Sequence, residues 1–299
     1  MFRANTSTIT IPYPLRLPGI AVMGVLTYLG GLGVLMGSAS RALVWPRGPA
    51  PPLGPAVLRW LDELFGMGLP LVALMHVGLG SFLTMQAFFG ATFLEAAGPV
   101  VAIGLIRNVA PLLTGLTMAG LLAVRIVPEL RAESHAGLDD DDPEWVADRE
   151  VAQGHEPDPR IVPEPARLAA VRMLAAMMAG PVLVLWATIV GIAIGCLVAM
   201  TMLGVDYAIF FNKSLDMLWV RDVVGVMVKG VLFALTGAAL ACHEGLRPGP
   251  INARTTRVAT FRAVCLASIT ILMLNNAWFL LVYHAGPPFG PTVMTTPGR

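Results

Sequence analysis

The 299-residue chain is 56% hydrophobic and 13% charged, with a mean hydropathy of +0.72 and a formal net charge of +1. Soluble domains carry about a quarter charged residues, so this composition excludes an ordinary water-soluble globule and predicts a polytopic membrane bundle. A net charge this close to zero gives no reason to expect nucleic acid or another polyanion as partner.

A membrane span needs about 20 mostly apolar residues. In chain order the candidates are Leu17–Ala39, Gly66–Leu94, Ala96–Val127, Ala169–Leu203, Val223–Ala241 and Val258–His284. The first begins late, among Pro12, Pro14 and Pro18, and lacks a compact small-residue cleavage site, so no signal peptide is expected. It is rich in glycine, which suits close packing more than simple spanning. A Pro-rich connector with an amphipathic end separates it from the second candidate and closes an N-terminal unit, 1–64; the transmembrane remainder is 65–299. The segment 129–168 is acidic, bears prolines and cannot span.

Lys and Arg near span ends set orientation. Arg247, Arg254, Arg257 and Arg262 place the connector 243–262 in the cytoplasm, with Arg254 and Arg257 as anchors at that face. Counting back puts 129–168 in the cytoplasm and 204–222 outside. The N-terminal flank also carries arginines and reads as cytoplasmic. Both conditions hold when the first candidate lies in the interface. The expected fold is therefore all-α, with five transmembrane helices after an interfacial or elbow helix, N-terminus cytoplasmic and C-terminus periplasmic.

Arg107 and Asn108 interrupt the third apolar run. An arginine at mid-bilayer costs about 2.5–3.5 kcal/mol on insertion scales, so it is expected either to face a cavity or to snorkel from a helix end. Pro111 suits a first turn, which would put Arg107 at the outer end of a helix over 108–128 and leave 96–106 as a separate short piece. Lys229 lies inside an apolar run and either snorkels or faces a cavity. His76, Gln86, Asn275 and Asn276 are expected to hydrogen-bond neighbouring helices. Gly191–Gly195 is a small-xxx-small motif that hints at a dimer.

Cys196, Cys242 and Cys265 lie in or beside apolar runs and read as packing residues. The histidines show no ligand spacing, so no metal is expected. Asp139–Asp142 lacks the spacing of a calcium loop and reads as a solvated acidic stretch or a docking point for a basic partner. No G-x-x-x-x-G-K-[ST] occurs, so the chain is expected to be no enzyme, to hold no cofactor and to leave ATP to a partner. Carboxylates appear almost absent from the candidate spans, which argues against an ion-coupled secondary transporter.

Several motifs fall in one order. "RNVAPLLTGLTMAGLLAVRIVPELRA" resembles the R-E-x-G-P, A-G-R-x-G and A-E-[IL]-G pattern of the MlaE/YrbE permeases, membrane subunits of MCE-associated ABC lipid transporters; Arg107, Pro111, Ala119, Gly120, Glu129 and Leu130 match. Asp158–Pro159 with Pro165–Arg167 resembles the family's lead-in to the next span, Asp158 reading as a helix cap. Asp222, Lys229 and Phe233 match its D-x-x-x-x-x-x-K-x-x-x-F stretch, and Gly245, Ala253, Thr255, Thr256, Arg257 and Val258 its later G…A-T-T-R-x-V run. The chain departs where Asn108 replaces an acid, where Leu121 replaces a second arginine, and in the loop after Glu129.

The resemblance implies a permease that binds phospholipid headgroups through Arg107 and Asn108 in a cavity shared with a second permease chain, identical or not. With Asn108 in place of the acid, the local charge should be more positive and favour anionic headgroups. It implies coupling to a cytoplasmic ABC ATPase through Glu129, Arg131 and Glu133, and location in a bacterial inner membrane. It also implies an MCE-domain partner and allows a STAS-type subunit. A pseudo-permease scaffold that has lost coupling is the alternative, given the altered loop.

Overall fold

A computed structural model of the chain describes residues 13–45, 52–90, 97–136, 165–250 and 252–284. Among these all regular secondary structure is helix. The order is α1 (Tyr13–Val44), α2 (Leu53–Gly90), α3 (Ala97–Gly104), a π-helical turn (Leu105–Val109), α4 (Ala110–Ala136), α5 (Pro165–Leu203), α6 (Tyr207–Asp216), α7 (Val220–Gly245), α8 (Ala253–Phe279) and a second π turn (Leu280–His284). Asp139–Asp142 and Asp158–Pro159 lie outside the described residues.

The helix starts follow local chemistry. Pro55 and Pro165 sit in first turns, where a missing N–H costs nothing. Asn252 accepts from Thr255 N at 2.8 Å and Thr255 Oγ1 returns a bond to Asn252 N at 3.2 Å, a reciprocal cap that starts α8. Asp206 caps α6 through Ala208 N at 2.7 Å.

Among the described residues six helices are long and apolar enough to cross a membrane. Their burial separates them: over half of the apolar window of α7 is inside the bundle (56%), against 6% for α1. Thus α4, α5 and α7 form the centre, α2 packs along α5, α8 covers α4 and α7, and α1 lies at the edge. The polytopic membrane fold agrees with the composition, and a weakly embedded first helix plus five others is compatible with the expected count.

The centre is built from small residues. Ala119, Ala170, Ala176, Ala179, Ala187, Ala238 and Ala241 are fully or almost fully buried. In lipid, helices gain little from the hydrophobic effect, and close backbone approach supplies the contact instead. At Gly80 a Cβ would run into the Gly191 carbonyl oxygen, and at Gly180 into that of Gly230. These two crossings lock α2 to α5 and α5 to α7. Gly195 packs on Thr84 and Val101. The Gly191–Gly195 motif therefore serves packing within the chain, which corrects its reading as a dimer contact.

Two further differences from the sequence reading have plain causes. The amphipathic end of the connector belongs to α2, which runs unbroken through position 65, because Val57, Trp60, Leu61 and Leu64 are buried in the main core. The segment 204–222 contains α6, whose Phe210 and Ser214, one turn apart, are buried; Phe210 packs with Cys196 and Ala199. The three cysteines are free; Cys196 and Cys242 are buried, consistent with packing.

Candidate functional site

Arg107 and Asn108 lie in the π turn between α3 and α4. Ala110 N–H bonds back to Leu105 O across this wider turn. Pro111 then matters for what it lacks. In an α-helix, residue 111 would donate to the carbonyl of residue 107, but proline has no N–H. The Lys229 ammonium from α7 donates to Arg107 O instead, at 2.7 Å. Single π turns inside α-helices often accompany functional positions.

From this turn a polar network spreads across three helices. Arg107 Nε donates to Asp222 Oδ1 at 2.9 Å and Nη2 to Asp222 Oδ2 at 3.0 Å, a bidentate charge-assisted pair. Asp222 is in the first turn of α7, where the helix dipole favours an acid, and its carboxylate also accepts from Trp219 N at 3.1 Å. Lys229, two turns further along α7, is 1% exposed. It also donates to Asn275 Oδ1 at 3.0 Å, while Asn275 Nδ2 donates to Asn108 Oδ1 at 2.7 Å. The Phe279 and Trp278 rings stand 5.4 and 6.0 Å from the ammonium, within cation–π range. Below lies an apolar floor of Ile106, Val184 and Val226.

Asp222 buries its carboxyl group completely, while the Arg107 side chain keeps 22% of its surface exposed. The pair thus presents a held guanidinium at the end of an apolar bundle. Asp222 pairs with the Arg107 charge, and the second cation of the cluster, Lys229, is buried. Asp222 falls one residue outside the span read from the sequence, which is why its role as partner was missed. Of the other polar residues, Asn275 joins the network, Gln86 and Asn276 are exposed, and His76 is buried with Nδ1 2.8 Å from Val72 O in its own helix.

A second network marks the opposite end of α4. Arg172, 3% exposed, bonds Glu133 at 2.9 Å and Glu129 at 3.4 Å. Arg125 joins Glu129 at 3.0 Å and Glu63 at 2.7 Å, and the Arg172 guanidinium lies 4.9 Å from the Trp60 ring. Arg131 is buried. Glu129 and Glu133 therefore tie α4 to α5, and Glu129 also to α2 through Arg125. Arg167 Nη1 donates to Ala42 O at 3.3 Å and holds the end of α1. Arg254 and Arg257 are exposed in the first turns of α8, well away from Arg107. Two acids at helix ends just outside the candidate spans, Asp222 and Glu244, are buried beside arginines.

Much of the chain matches known proteins. Residues 162–281, covering α5 to α8 with Asp222, Lys229 and Asn275, match the family model Permease MlaE. A probable ABC transporter permease protein of Rickettsia typhi is 26% identical over 223 residues, 73% of this chain and 80% of the relative. Its counterpart in Rickettsia felis is 27% identical over the same shares. The intermembrane phospholipid transport system permease protein MlaE of Haemophilus influenzae is 26% identical over 213 residues, 71% of this chain and 74% of the relative. The chain is thus similar, at low identity, to the MlaE permeases and to ABC-transporter permeases, and it is built as a multi-pass helical membrane protein.

Proposed function

We propose that the chain is the permease subunit of an ABC-type phospholipid transporter, and that Arg107 and Asn108 form the headgroup end of its lipid site. The observation that supports this reading most is the part-exposed Arg107 guanidinium, held by Asp222 at the rim of an apolar bundle. A planar fork of donors suits a phosphate, and acyl chains suit the walls below. A second permease chain completes the cavity. A separate ATPase docks at the far end of α4 and acts through Glu129 and Glu133, whose bonds to Arg172 carry motion into α5. The buried Arg131 supports the α4 end in this scheme. Arg254 and Arg257 anchor that end at the cytoplasmic face of a bacterial inner membrane, with an MCE-domain protein on the other side.

The test is native mass spectrometry of the tagged chain purified gently from its host. Two permease copies with two ATPase subunits and bound phospholipid are expected. Arg107→Ala should lower retained phospholipid by about tenfold, the worth of one lost charge-assisted contact; unchanged lipid would overturn the headgroup assignment. The second reading, a scaffold without transport, draws on the engagement of Glu129 and Glu133 inside the chain. An intact complex showing no ATP-driven lipid movement would favour it.

A further inference from the structure

A cavity of about 800 Å³ lies between α1, α7 and α8. Its walls include Leu29, Leu32, Leu235, Leu240 and Leu266. Two threonines also line it, but Thr236 donates to Leu232 O at 2.7 Å and Thr270 to Leu266 O at 2.8 Å. Both hydroxyls are thus satisfied by their own helix, and apart from the Tyr28 phenol the wall behaves as apolar. From Arg262 to Thr270 the lining runs about 12 Å along α8, close to the roughly 15 Å of hydrocarbon in one leaflet.

One end of the groove is charged. Arg247 and Arg262 both line it and both reach Glu244, at 3.6 and 3.4 Å. These separations are longer than the 2.7–2.9 Å of tight charge-assisted bonds. Glu244 is completely buried, while each arginine side chain keeps nearly half of its surface exposed (47% and 44%). One carboxylate balances two guanidiniums, so this end carries an excess positive charge beside an apolar slot. An anion with an attached hydrocarbon chain satisfies both parts at once.

We propose that this groove binds an anionic glycerophospholipid, with its phosphate at Arg247 and Arg262 and one acyl chain between α1 and the α7–α8 pair. The site lies at the opposite end of the bundle from Arg107 and does not rest on the transport reading. A lipid here supplies contact that α1 does not get from protein, since its apolar window is the least buried of the six. It acts as a bound lipid that seats α1.

The experiment uses the full chain in nanodiscs containing phosphatidylglycerol or phosphatidylcholine with a diazirine at mid-chain, and maps adducts by mass spectrometry. Phosphatidylglycerol should label peptides covering 24–36, 232–240 and 262–270 about tenfold more than phosphatidylcholine, whose choline cation offsets its phosphate charge beside two arginines. The Arg247→Gln/Arg262→Gln double variant should bring the two lipids to parity there. Gly24→Leu adds bulk where a Cβ meets open space, so the fold should hold while groove labelling by both lipids falls. Equal labelling of the parent protein by the two lipids would overturn the proposal, as would a preference that survives the double variant. So would loss of the preference to millimolar inorganic phosphate with chain labelling unchanged, which would indicate an anion site alone. Absence of adducts from either lipid in the groove peptides would equally overturn it.

Discussion

At the scale of single residues, Asp222 and Lys229 decide how Arg107 is held. Asp222→Ala leaves a mostly buried guanidinium without its carboxylate. Breaking a buried pair costs about 3–5 kcal/mol, and the 22% exposure of Arg107 puts this case at or below the lower end. A clear fall in thermal stability of the detergent-purified protein is expected. Arg107→Ala/Asp222→Ala should be less destabilised than the sum of the singles, with a coupling of about 1–3 kcal/mol; additive effects would show that the pair does not operate in the folded protein. Lys229→Met removes the donor to two acceptors, Arg107 O and Asn275 Oδ1. Each acceptor left buried and unsatisfied costs about 1–3 kcal/mol.

At the scale of elements, the π turn and the glycine crossings carry separate tests. Pro111→Ala restores a backbone N–H that can reach Arg107 O. Pro111→Ala/Lys229→Met should therefore recover part of the stability lost in Lys229→Met, read from melting curves of the three variants. No recovery would mean that the missing proline N–H is not what Lys229 compensates. Gly80→Val and Gly180→Val each push a side chain into a facing carbonyl. Such overpacking costs about 1–3 kcal/mol or more, so size-exclusion profiles should show loss of monodisperse protein. Gly33→Ala, where a Cβ meets open space, should behave as the parent.

At the scale of the whole molecule, α4 carries a polar cluster at each end. Arg107 and Glu129 are 22 residues apart, about 33 Å of helix, which matches a hydrocarbon core of about 30 Å. The Arg107 cluster then belongs to one membrane face and the Glu129–Arg172 network to the other. With the native cysteines replaced, Lys213→Cys should react with a membrane-impermeant thiol reagent on intact cells. Arg254→Cys should react only after the membrane is opened. The reverse pattern would invert the proposed orientation without altering the fold.

The sequence alone determined the membrane class, the apolar helices and the oddity of Arg107, because hydropathy and charge along a span are local properties of the chain. The motif order also exposed the relation to the MlaE permeases, and it named Asp222 and Lys229 without saying what they touch. Only the tertiary structure decided that Asp222 pairs with Arg107 across 115 positions, and that Asn275 bridges Lys229 to Asn108. It also packed Gly191 within the chain and bonded the part-exposed Glu133 to Arg172. The physical reason is common to these cases. A buried charge or a missing side chain shows where a contact is needed, but the partner is set by which helix crosses at that height, and no local pattern records that crossing.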